Sequence, residues 1–207
     1  SSETDIKEHN IAGFVQYELS AGHWYMGAGV RYEDVVRIYY LYGDKQDDAS
    51  RTYHNLFPNL AVAWRKNDWS WQLSMNEKMH RPSYHNLRNF MQYDNRYMYE
   101  GGNPTLRPEK VYNIETGATY RWISARWGYT YIKDAMVWVD RLLDNQAITY
   151  TSNMNFDHHQ TLYGSIYLAP IFKIYRPTLE LTYQQQIFNT KDYGCNRNLN
   201  KPSFGFK

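Results

Sequence analysis

The chain has 207 residues with 23 basic and 21 acidic side chains, a net charge of +2, and one cysteine, Cys195. That balance leaves no basic stripe for nucleic acid, a single cysteine excludes an internal disulfide framework, and no apolar run approaches the roughly 18 residues of a membrane-crossing helix. Aromatics reach 17%, with 21 tyrosines and 7 tryptophans, while the mean hydropathy is −0.76. Disordered chains are poor in aromatics, so this mixture points to an architecture with one wet face and one apolar face. Outer-membrane barrels are built that way, with a polar lumen, a lipid-facing band and aromatic girdles.

Period-two alternation recurs along the chain and predicts strands at Asn10–Leu19, His23–Val35, Tyr53–Arg65, Trp69–His80, Val111–Trp122, Ser124–Val139, Ala147–Leu168 and Pro177–Phe188. A partial ninth follows at Pro202–Lys207. In the fourth, Trp69, Trp71, Leu73 and Met75 fall on one face and Ser70, Gln72, Ser74 and Asn76 on the other. A helix would place neither set together. The start at Ser1-Ser2-Glu3 shows neither an initiator Met nor a signal-peptide pattern. Together with the partial last strand, it gives the expectation of a piece cut from a longer protein.

The connections alternate in length. Those after the first, third and fifth strands are tight: Ser20-Ala21-Gly22, Lys66-Asn67-Asp68, and almost nothing around Ile123. The one around Ile171-Phe172-Lys173-Ile174 is slightly longer, whereas Asp34–Thr52 and Arg81–Lys110 are long. Outer-membrane barrels show this asymmetry, with short periplasmic turns and long extracellular loops; a β-sandwich has no reason to. The expected fold class is therefore all-β, an antiparallel up-and-down transmembrane barrel segment of eight to nine strands within a larger barrel. Val30, Trp71, Leu73, Leu162, Gly164, Ile166, Leu179 and Leu181 should face lipid, and Arg31, Glu33, Gln72, Asn76, Glu115, Glu180 and Gln184 the lumen. The reverse assignment would cost about 2–4 kcal/mol for each Arg or Lys near the midplane.

Two segments carry a resemblance. Lys78-Met79-His80-Arg81-Pro82-Ser83-Tyr84, followed by Tyr99-Glu100-Gly101-Gly102-Asn103-Pro104-Thr105-Leu106-Arg107-Pro108-Glu109, resembles TonB-dependent outer-membrane receptors of the Bacteroidetes-type β-barrel family. Gly29-Val30-Arg31-Tyr32-Glu33 and Phe57-Pro58-Asn59-Leu60 are similar to strand signatures of that family. The resemblance implies an outer-membrane location in a Gram-negative cell and a parent barrel of about 22 strands with a plugged lumen. It also implies coupling to TonB through a plug domain outside this chain, a surface lipoprotein as a further partner, and import of a bulky nutrient: siderophore, cobalamin, glycan or peptide. The residues themselves read as a loop-to-strand hinge. Gly101, Gly102, Asn103 and Pro104 suit a turn, and Pro108 presets entry into the next strand. Arg81, Pro82, Gly102, Asn103, Pro104, Leu106, Pro108 and Glu109 are the expected structural motif.

No nucleophile elbow, zincin helix or phosphate-binding glycine loop occurs, so no catalytic residue, metal or cofactor is expected. In Asp157-His158-His159 the adjacent histidines of a strand point to opposite faces. Asp44, Asp47 and Asp48 lack the spacing of a calcium loop and read as solvated. The most ligand-like stretch is Arg81–Glu100, where Tyr84, Phe90, Tyr93, Tyr97 and Tyr99 interleave with Arg88 and Arg96. Arg81, Tyr84, Arg88, Tyr93, Arg96, Tyr97 and Tyr99 are the candidate ligand residues, weighed against simple aromatic packing of a long loop. Two alternatives to transport stay open at this point: a plugless surface or adhesin barrel, and a soluble all-β carbohydrate-binding module.

Overall fold

A computed structural model describes residues 4–142, 148–188 and 200–207. Cys195, and Ala147 at the head of the seventh expected strand, lie outside the described residues. The long strands are β1 (Thr4–Ala21), β2 (Trp24–Leu41), β4 (Arg51–Lys66), β5 (Trp69–His80), β8 (Glu109–Tyr120), β9 (Ile123–Leu142), β10 (Thr149–Leu168), β11 (Leu179–Phe188) and β12 (Pro202–Phe206). They form one sheet in the order β1-β2-β4-β5-β8-β9-β10-β11-β12, with every neighbouring pair antiparallel. Short pieces complete it: β3 (Asp44–Lys45), α1 (Tyr84–Leu87), β6 (Met91–Asn95) and β7 (Met98–Gly101). The sheet is open among the described residues, with β1 and β12 at its edges.

The tight turns form where a residue accepts the left-handed conformation, at Gly22 (φ 59°), Asn67 (φ 53°) and Arg121 (φ 51°). Glycine and asparagine adopt it cheaply. The third turn is Arg121-Trp122, so Ile123, expected as the turn, instead opens β9. The largest departure from expectation is β2, which continues past Val35 to Leu41 and shrinks the expected 34–52 loop to 42–50. The reason lies in the residues: Val35 and Tyr39 alternate with Val36, Ile38 and Tyr40, so apart from Arg37 both faces are apolar and the period-two contrast vanishes. β1 lengthens to match, pairing Thr4 with Leu41.

The 81–108 connection is not an extended loop. α1 is capped by Ser83, whose hydroxyl accepts from the Asn86 amide at 3.3 Å. β6 and β7 form a hairpin, and β7 runs parallel to the start of β10, pairing Met98–Gly101 with Thr149–Ser152. This is a parallel step within an otherwise antiparallel fold. The well-buried apolar side chains gather at this end. Val35, Tyr39, Phe57 and Val111 come from strand positions on one face, and Leu87 and Leu106 come from the connection. The face on which the connection folds is called inner below, the opposite face outer.

Candidate functional site

The register sorts the wall into two chemistries. Along one cross-strand row on the outer face stand Tyr17, Ala28, Leu60, Met75, Ile114, Tyr129 and Leu162. The adjacent inner row reads Glu18, Gly27, Ala61, Ser74, Glu115, Gly128, Tyr163 and Gln184. All of the residues assigned from sequence to lipid fall on the outer face, and all of those assigned to the lumen fall on the inner face. Outer-face Ile11, Val15, Val30, Leu60, Ile114, Trp127, Ile166 and Leu181 are exposed. That is far more contiguous apolar surface than a soluble monomer presents, which sets aside the soluble-module alternative.

The outer band has a measurable height. It runs from Trp24 to Tyr32 in β2, from Tyr120 to Tyr112 in β8 and from Ile123 to Tyr131 in β9, nine residues each. Eight steps of about 3.3 Å give roughly 26 Å along the strand, and a tilted strand of about 9–11 residues crosses a hydrocarbon core. Charge begins at its loop-side edge, with Glu77 in the edge row opposite Tyr112 and Asp34, Lys110 and Lys133 just beyond it. Toward the short turns lies a tryptophan cluster, Trp24 with Trp64 and Trp71 at 6.3 Å each, and Trp69 stacks on Tyr120 at 4.4 Å. Polar groups inside the band bond to one another, which lowers the cost of placing them in hydrocarbon. Thr116 Oγ1 accepts from Trp71 Nε1 (3.0 Å) and donates to the Gln72 carbonyl (3.0 Å), and Tyr129 donates to Gln160 (2.9 Å).

The inner face is polar and internally bonded. Tyr163 donates to Glu115 at 2.9 Å, with Arg126 3.6 Å from the same carboxylate. Thr130 donates to Asn113 (2.8 Å), which donates to Asn76 (3.2 Å). Near the short turns this face bounds a cavity of about 880 Å³, whose lining includes Tyr25, Arg65, Gln72, Arg126, Tyr167 and Glu180. At the opposite end of the strands the 81–108 connection folds over the inner face as a roof.

The expected motif builds that roof. Pro82, Leu106 and Pro108 are buried. Gly102 must be glycine, because a Cβ there would run into the Arg88 carbonyl oxygen. The Asn103 amide donates to Asn86 O at 2.6 Å, and its side chain donates to Asn153 O of β10 at 3.1 Å while accepting from Thr105 N at 3.1 Å. Glu109 accepts from the Met136 amide at 3.0 Å and meets His80 at 3.0 Å. Arg81, a candidate ligand residue, is committed instead to Glu33 and Glu8. Glu33 also accepts from Asn10 (2.8 Å) and lies 3.6 Å from Arg31. Burial pushes the Glu33 carboxyl up, but the hydrogen bonds from Arg81 and Asn10 and the charges of Arg81 and Arg31 outweigh it and hold it below its ordinary value. Arg37, buried, donates to the Leu106 carbonyl at 3.4 Å.

The remaining candidates split into places. Tyr93 and Tyr99 pack edge-on at 5.7 Å across the β6–β7 hairpin, and Arg96 lies over Tyr97 at 5.3 Å near its tip. Tyr84, Tyr93 and Tyr97 are exposed, as are Arg88 and Arg96. Tyr84 stands apart on α1. His158 pairs with Asp157 (2.8 Å) and stacks on Tyr131, whereas His159 stacks on Phe188 at 4.1 Å. The two histidines thus diverge. Asp47 is engaged by Lys45 at 2.8 Å in an exposed loop. Sequence reading missed the cavity rim and the Glu8–Arg81–Glu33 anchor, because their members sit on different strands and meet only through the register.

A family model described as outer membrane protein beta-barrel family matches residues 1–207. The chain belongs to the outer membrane protein β-barrel family. Its location is the outer membrane, and the fold agrees with solved members of that architecture. The copper transporter OprC superposes with a TM-score of 0.63 at 15% identity, over 90% of this chain and 30% of that one. The FrpB iron transporter of Neisseria meningitidis (F5-1 variant) gives 0.58 at 15% identity, over 88% of this chain and 27% of that one. The alcaligin outer-membrane receptor FauA of Bordetella pertussis gives 0.54 at 11%, over 97% and 34%. The chain thus spans about a third or less of the length of these structures. No curated protein sequence matches it.

Proposed function

We propose that this chain is part of the wall of a larger barrel, that of a TonB-dependent receptor importing a bulky nutrient such as a siderophore, cobalamin, glycan or peptide. The observation that carries the reading is the division of the inner face: a roof built by residues 81–108 at the loop end, and a polar cavity of about 880 Å³ at the short-turn end. A wall that served only as a surface display has no need of a polar, internally bonded interior. The open edges β1 and β12 accept further strands, and likeness to a copper transporter, an iron transporter and an alcaligin receptor supports the same architecture. In this reading the plug and its TonB contact come from elsewhere in the protein, and the wall does no covalent chemistry. Tyr93, Tyr97, Arg88 and Arg96, exposed on the roof, offer aromatic faces and cations to an arriving ligand.

The test is growth and uptake. Cells lacking the protein are compared with complemented cells on limiting iron, cobalamin, glycan or peptide, with and without a protonophore. Uptake that needs both the protein and the energised membrane supports the reading. No nutrient phenotype, together with lost surface adhesion, would replace it with the plugless surface barrel. Orientation is checked separately by maleimide labelling of Asn95→Cys in intact cells, on a Cys195→Ser background.

A further inference from the structure

On the outer face, one row beyond the aromatic edge of the lipid band, β8 and β9 set Lys110 directly opposite Lys133. Side chains directly opposed across an antiparallel pair stand about 4.5–5.5 Å apart at Cβ, and like charges there are destabilising. Neither lysine has a salt-bridge partner among the described residues. The acids around them are committed elsewhere. Asp134 holds Arg107 at 2.6 Å, Glu109 takes His80 and the Met136 amide, Asp157 takes His158, and Glu77 stands opposite Tyr112 with no ion pair to either lysine among the described residues. Just below, Tyr112 and Tyr131 pair at 6.0 Å and mark the membrane boundary. An unneutralised lysine pair at that height faces the headgroup layer, where long side chains lay their stems on the apolar wall and present their ammonium groups to lipid.

We infer that Lys110 and Lys133 clamp a phosphate of an anionic lipid headgroup in the outer leaflet, so that the wall carries a specific lipid site. One phosphate bridging both ammonium groups removes the repulsion that the register imposes and that no protein carboxylate relieves. The stacked Tyr131–His158 pair, 5.6 Å between ring centres, gives the headgroup a flat surface beside the clamp. The assignment to the outer leaflet rests on the proposed orientation, with the long connections outside; the clamp itself does not.

The experiment uses the full-length receptor in lipid nanodiscs containing either lipid A or its dephosphorylated form, with retained lipid counted by native mass spectrometry. Lys110→Gln and Lys133→Gln should each weaken lipid A retention about fivefold, and the double variant about 25-fold. Lys66→Gln, on the same face at the short-turn end, should leave retention unchanged and controls for general loss of charge. Equal retention of the dephosphorylated lipid, or an unchanged double variant, overturns the site. Lysine-dependent binding of inorganic phosphate without lipid A retention would assign the pair to free phosphate and overturn the lipid reading. Nanodiscs expose both leaflets, so a reversed orientation shows up in the Asn95→Cys labelling and leaves the clamp measurement intact.

Discussion

Replacing Leu73 by arginine tests which face of the wall meets lipid. Leu73 lies midway between Trp69 and Glu77 on the outer face of β5, opposite Val62 and Thr116. An arginine there enters the centre of the band, at a cost of about 2–4 kcal/mol at the midplane. Its neighbour Gln72 points inward to the cavity, opposite Ala63 and Gly117, and Gln72→Arg should stay within about 0.5 kcal/mol of the parent, as exposed substitutions do. The two variants carry the same added charge one residue apart, so the face is the only variable. The difference corresponds to roughly a 30- to 1000-fold change in the folding equilibrium, at about 1.4 kcal/mol per factor of ten. Urea unfolding in lipid vesicles, followed by tryptophan fluorescence, reads it directly. Equal losses, or a larger loss for Gln72→Arg, would refute the assignment of faces.

Arg81→Ala leaves the buried Glu33 carboxylate without its principal cation and should cost the roof about 1–3 kcal/mol of anchoring; faster tryptic cleavage after Arg88 and Arg96 is the readout, and an unchanged rate would refute the anchor. Because the folded Glu33 carboxyl is held below the ordinary value of 4.5, its contribution is complete above that value and is lost as the pH falls through the lower folded value. Hydrogen exchange over the 81–108 connection should therefore quicken only under acid, and Glu33→Gln should flatten that dependence. Gly128→Ala drives a Cβ into the ring of Tyr163 and should cost about 1–3 kcal/mol with loss of the Tyr163–Glu115 bond. Gly117→Ala, whose Cβ would meet nothing nearer than the Ala125 carbonyl at 3.4 Å, should be close to neutral in the same unfolding assay.

How much was legible follows from contrast between the faces. β5 is legible to the residue, Trp69–His80, because its Trp, Leu and Met alternate with Ser, Gln and Asn, and because Asn67 and Arg81-Pro82 punctuate its ends. β2 is legible only as far as Val35, since the next residues, Arg37 apart, are apolar on both faces under the roof. The roof's motif was legible as a hinge, from glycine and proline chemistry that needs no tertiary information. Its destination was not. Docking Asn103 onto Asn153 and pairing β7 with β10 join residues far apart in sequence, and no local pattern records which edge a short hairpin will meet. In sequence Arg81 reads as a free cation in a ligand loop for the same reason: Glu8 and Glu33 reach it only after β1, β2 and the connection come together.

The lysine pair shows where alternation stops and register begins. A turn centred between Arg121 and Trp122 makes residues equidistant from that centre face each other, which sets Lys110 against Lys133 and Glu115 against Gly128. A turn centred on Ile123 would set Glu115 against Tyr131 and Lys110 against Met136, joining inner positions to outer ones. Side-chain period two forbids that wherever one face meets lipid, because a slip by an odd number turns a whole strand inside out. The hydrophobic pattern on both flanks therefore contains the information needed to place the turn, even though Arg121-Trp122 lacks the glycine or asparagine that marks the turns at Gly22 and Asn67. Reading each hairpin as two alternations that must agree, rather than as two strands and a gap, is what converts a list of faces into rows of neighbours. It is in those rows that an unrelieved pair of charges becomes visible.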